Sequence, residues 1–178
     1  MKLNPILTHA PPAVLAQNDL VKKLKTVHGA LSEDDVEPNS SKYPSLDSLS
    51  AYLVSPKLLK HKDKEVRLFT SLCCIEIFYL YAPEPPWDSD EIIRVFEQII
   101  SQLSNLAHCH NTSQTNYAMY FHILEQLANV KIGVVLVELT RQGDDNALEQ
   151  VRSPILSLFA CGLCVCVWVL LINFTLRP

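Results

Sequence analysis

The run from Val66 to Leu80 constrains this chain more than any other stretch. Val66, Leu68, Phe69, Leu72, Cys73, Cys74, Ile75, Ile77, Phe78 and Leu80 are all apolar. At 3.6 residues per turn they cover most of a helix's circumference, so such a helix must be packed on more than one side. Its ends are also legible. Asp63 is placed to accept the free N–H groups of Glu65 or Val66. Ala82-Pro83 stops the helix, because the residue before proline is pushed out of the helical region. Ahead of it, Ser55-Pro56 predicts a second, shorter helix, with Ser55 as cap and Pro56 at the first position.

The elements around this pair follow from spacing. Leu20, Val21, Leu24, Val27 and Leu31 predict a helix from Asn18 or Asp19 to about Leu31. Ser45–Val54 reads as a short helix with Leu46, Leu49 and Leu53 inward. Asp88 and Glu91 have the form of a capping box, and Ile92, Ile93, Phe96, Ile99, Ile100, Leu103 and Leu106 give a long amphipathic stripe behind it. Thr115–Asn129 is expected to turn Tyr117, Phe121, Leu124 and Ala128 inward. Val134–Leu139 has β-propensity, but with no second strand to pair with it is taken as helix. Residues 1–17 form a proline-containing lead-in expected to be disordered, and Ser32–Pro44 an acidic connector. The helix starts near Ser45 and Asp90 lie about 45 residues apart, within the range of helical repeats. Only four glycines in 178 residues suit an all-α chain.

The order of "LLKHKDKEVRL", "YAPE" with a following aromatic, and "LEQLANVK" resembles the N-terminal region of the precocious-dissociation-of-sisters family. That resemblance covers about Asn18 to Asp145. It implies a HEAT-like α-solenoid of antiparallel helix pairs over residues 18–150, right-handed and continuing in a longer array. It also implies regulation of sister-chromatid cohesion in the nucleus, without a catalytic step. The implied partners are the kleisin subunit of cohesin and the cohesin-releasing and cohesin-acetylating factors, with chromatin engaged indirectly.

Direct nucleic-acid binding is not expected. The chain carries a formal charge of −4, and residues 1–150 alone hold 13 basic against 19 acidic residues, a poor balance for phosphate contacts. The six cysteines do not make a disulfide framework: Cys73 and Cys74 are neighbours within one helix, and reduced thiols are expected. His108-Cys109-His110 lacks the second ligand pair a zinc site needs. Cys161, Cys164 and Cys166 sit in an apolar run with no charge to activate a thiol. Asn39, Asn111 and Asn173 match a glycosylation pattern that is common by chance. No catalytic constellation or cofactor motif stands out.

Lys57, Lys60, Lys62, Lys64 and Arg67, with His61 among them, form the one basic cluster. Two readings of it stand. It is a solvated turn interrupted by Asp63 and Glu65, or a docking edge for an acidic partner segment. Exposed charge runs are usually only solvated, which favours the first. Arg67 also has a structural reading, as a side chain stacking between repeats.

Residues 151–178 depart from the family pattern. Ser153–Leu176 contains no charged residue or histidine, and about 20 apolar residues suffice to span a bilayer as a helix. An apolar C-terminal helix is therefore expected if the segment is made. It makes the alternative function a tail-anchored helical adaptor at an intracellular membrane. Intron read-through explains the same segment otherwise: Val151, whose codon opens with GT, sits at the break, and Phe, Leu, Ser, Cys and Val dominate Ser153–Phe174. The expected outcome is a spliced transcript joining the Gln150 codon to one for a charged amphipathic helix. Recovery of protein ending at Pro178 in carbonate-resistant membranes would overturn it.

Overall fold

The structure is a computed structural model that describes residues 17–32, 46–82, 84–106, 108–109 and 112–130. Gln17, expected in the disordered lead-in, instead opens the first helix; the rest of the lead-in, the acidic connector beyond Ser32, the helix over 134–139 and the apolar tail lie outside the described residues, as do His110 and the three asparagines of the glycosylation pattern. The side chain of Ala128 does too. Among the described residues all regular structure is helical: α1 (Gln17–Leu31), α2 (Asp47–Leu53), α3 (Pro56–Leu59), α4 (Lys64–Tyr81), α5 (Ser89–Leu106) and α6 (Tyr117–Asn129). None of these helices is long and apolar enough to cross a membrane. The chain divides into two compact units at Trp87/Asp88.

In the first unit α4 is the centre, and α1, α2 and α3 all pack on it. Asp63 caps it in extended backbone geometry, accepting from Glu65 N at 2.7 Å and Val66 N at 3.1 Å. Ala82 ends it at φ −55°, ψ 137°, the extended conformation a following proline imposes. Each of the ten apolar positions from Val66 to Leu80 is buried. So are Thr70, Ser71 and Glu76 between them. The two hydroxyls are satisfied inside the helix, Thr70 Oγ1 donating to Val66 O at 2.7 Å and Ser71 Oγ to Arg67 O at 3.0 Å. Glu76 Oε1 lies 3.7 Å from His28 Nε2 of α1. On α1, Val21, Leu24, Val27 and Leu31 are buried as the spacing predicts, while Leu20 of the same expected stripe is only half-buried.

Burial also settles the state of the two neighbouring cysteines. Desolvation pushes both thiols well above their ordinary range, because a thiolate in apolar surroundings loses its hydration. For Cys73 the nearby Cys74 and Glu76 add to the effect. Cys73 Sγ contacts Leu24 O at 3.6 Å, across to α1. Both are neutral packing groups.

Ser55 behaves differently from expectation. It occupies the N-cap of α3 with Pro56 following, but its hydroxyl makes no capping bond. The N–H groups of Leu58 and Leu59 donate instead to the Ser55 backbone carbonyl, at 3.0 and 3.1 Å. A single-turn helix is closed by the backbone alone.

Trp87 closes the first unit. Its indole N–H donates to Ser50 O at 3.0 Å, and its ring meets Phe78 edge-on, centroids 5.0 Å apart at 79°. One side chain thereby ties α2 to the C-terminal half of α4, over a span of 37 residues.

In the second unit α5 packs on α6. The capping box forms: Glu91 N donates to Asp88 Oδ1 at 2.7 Å and Asp88 N to Glu91 Oε2 at 3.2 Å. The whole predicted stripe of α5 is buried, with Val95 and Gln102 beside it. For α6 the expected face is corrected. Ile123, Leu124, Leu127 and Val130 are buried, whereas Phe121 is 37% exposed and Tyr117 is half-buried. Phe121 and Ile123 lie roughly 200° apart around a 3.6-residue helix, so burying one stripe exposes the other. Leu124 sits on the border and belongs to both. The aliphatic stripe is the one buried, and Tyr117 and Phe121 stack on each other, centroids 6.0 Å apart at 12°.

Phe78→Ala is expected to destabilise the protein by about 3–5 kcal/mol, through lost burial, a cavity and the missing Trp87 contact. Urea unfolding followed by circular dichroism checks this. A loss under about 1 kcal/mol would show that α4 is not a shared core.

Candidate interaction surface

The sequence between α3 and α4 is too short to bury anything, yet side-chain-to-backbone bonds build it into a defined turn. Lys60 ends α3, its N–H donating to Pro56 O at 3.1 Å. His61 N donates to Leu58 O at 3.2 Å, and His61 Nδ1 accepts from Asp63 N at 3.1 Å. Asp63 then caps α4. From one turn into α4, the Arg67 guanidinium reaches back and donates from Nη1 to both His61 O and Lys62 O, the second at 3.0 Å. A guanidinium is suited to this, since its rigid donors stay charged and weakly hydrated at the protein surface.

The five candidate docking residues therefore separate. Lys57, Lys60, Lys62 and Lys64 are exposed, while Arg67 is half-buried and committed to the two carbonyls. Among the described residues none of the four lysines is in an ion pair. Arg67 has a structural role other than the expected stacking between repeats: it is a clasp on its own turn. Of the other candidates, His108 is exposed and Cys109 half-buried, with Cys109 Sγ 3.5 Å from Asn105 O.

Sequence reasoning missed two features. The tie from Trp87 to Ser50 gives no local signal, because its partner is a backbone carbonyl far away in sequence. The Glu76–His28 contact is equally silent, although a carboxylate within the apolar run of α4 marks a position that needs a polar neighbour.

Among the described residues these features define a helical scaffold with a built, charged edge between α3 and α4. A family model for "Sister chromatid cohesion protein PDS5 protein" matches residues 18–155, and the chain belongs to the PDS5 family. It is 33% identical over 139 residues to the sister chromatid cohesion protein pds5 of Schizosaccharomyces pombe, covering 76% of this chain and 11% of that protein. It is 32% identical over 111 residues to the PDS5 protein of Saccharomyces cerevisiae, covering 62% of this chain and 8% of that one. The chain thus spans about a tenth of the length of these relatives. A solved chain described as "Structure of the Pds5-Scc1 complex and implications for cohesin function" superposes with a TM-score of 0.66 at 26% identity, over 80% of this chain and 20% of that one.

Asp63→Ala is expected to cost about 1 kcal/mol, since two N–H groups of α4 lose their acceptor. Thermal unfolding of the purified chain checks it, and Asp63→Asn, which keeps an acceptor, should recover most of the loss. Equal losses in both variants would show that the charge of Asp63, and not its acceptor, stabilises α4, and no loss in Asp63→Ala would show that the cap contributes nothing.

Proposed function

We propose that this chain acts as a region of a HEAT-repeat regulator of sister-chromatid cohesion, on nuclear chromatin. Solenoid helices contact their neighbours and leave long surfaces for partners, and the action proposed requires no catalytic step. The observation that carries the reading is the agreement of sequence and fold over the same residues. The family match runs from 18 to 155, and the related solved chain covers 80% of this one. That related chain is from a complex with Scc1, which supports the cohesin kleisin as the partner of the whole protein. Cohesin-releasing and cohesin-acetylating factors are the further partners that a scaffold of this family is proposed to engage.

A chimera tests the proposal. Residues 18–155 replace the matching segment of the fission-yeast relative. The chimera is expected to precipitate the kleisin and to support sister-chromatid cohesion. Loss of both in a chimera expressed at normal levels would sink the reading.

A further inference from the structure

The turn between α3 and α4 and the helix ends that flank it carry Lys57, Lys60, Lys62, Lys64 and Arg67 against Asp63 and Glu65. Three features distinguish it from an ordinary solvated charge run. Its backbone is fixed from several sides, by the Arg67 clasp, the His61 ring and the Asp63 cap. The Asp63 carboxylate accepts two backbone N–H groups of α4, and Glu65 is the one exposed carboxylate among the lysines. The four lysines stand exposed on both sides of the turn, Lys57 and Lys60 at the three-residue spacing that shares one side of a helix. A surface whose backbone is already ordered costs less entropy to bind than a mobile loop.

We propose that this turn is a docking edge for a short acidic peptide segment of a partner protein. Lys57, Lys60, Lys62 and Lys64 make the contacts, and Arg67 is a positioning residue that holds the turn in shape. The ammonium groups are point charges on flexible stems, which pair with carboxylates without demanding a fixed geometry. A peptide fits better than a nucleic acid. The basic residues are confined to one short turn and the helix ends beside it, whereas phosphate tracking uses many contacts along a groove. The edge goes beyond the cohesin reading and does not rest on it, since it specifies a partner's chemistry and not its name.

The test uses the whole chain and a fluorescein-labelled octaglutamate peptide, followed by fluorescence anisotropy at about 50 and 150 mM salt. Lys60→Glu with Lys62→Glu is expected to weaken binding about tenfold at the lower salt, and by less at the higher. Lys22→Glu with Lys23→Glu changes the net charge equally on the exposed side of α1 and is expected to stay within about twofold of wild type. Arg67→Lys keeps the charge but loses the two-carbonyl clasp, and is expected to weaken binding about threefold with the helical circular-dichroism spectrum intact. Three results would each overturn the proposal. One is binding unchanged in the Lys60/Lys62 variant. Another is equal loss in the α1 variant, which would make the attraction a property of net charge. The third is tighter binding of a single-stranded DNA of the same formal charge, which would make the edge a nucleic-acid site.

Discussion

A helix that is apolar around most of its circumference cannot exist at a surface, and α4 is such a helix. Burying it needs cover on several sides, and three other helices of the first unit supply it. The cost of leaving one side open is easily judged. A single large side chain contributes about 1.5–3 kcal/mol when fully buried, and α4 carries ten apolar positions that are all buried. No isolated helix pair could do this. The same constraint explains why the polar residues of α4 are so carefully placed. Thr70 and Ser71 return their hydroxyls to the preceding turn, and Glu76 meets His28.

Because α4 is fixed by burial, its N-terminus becomes a rigid post for the turn that precedes it. The turn from Lys60 to Asp63 is built against that post by one carboxylate, one imidazole and one guanidinium. None of these bonds is strong alone, since exposed hydrogen bonds contribute roughly 0.5–1.5 kcal/mol each. Together they leave little freedom in these four residues. Core and surface are thus coupled: Arg67 can hold the carbonyls of His61 and Lys62 only because the helix it stands on is immobile.

Much of this was legible in the residues. The Asp63 cap, the Ala82 stop, the Asp88/Glu91 box and the stripe of α5 are local arrangements, decided within four residues or one helix face. They formed as expected. The family likewise follows from residue order. Ser55 shows the limit of such reasoning even locally, since a good capping residue went unused where backbone bonds closed a one-turn helix.

Residue order alone was enough to place the helices and to show that α4 needs cover, because capping and periodicity act over short range. Packing in three dimensions chose which of two stripes α6 would bury. Tyr117, Phe121 and Leu124 make as good a pattern as Ile123, Leu127 and Val130, and only contact with a neighbouring helix can select between them. Packing also set the fate of Trp87, whose hydrogen bond to Ser50 spans 37 residues, and of Arg67, whose charge in sequence looked like one more element of a basic run. Contacts between positions distant in sequence carry no local signature, so the folded chain alone could sort a clasp from a contact residue.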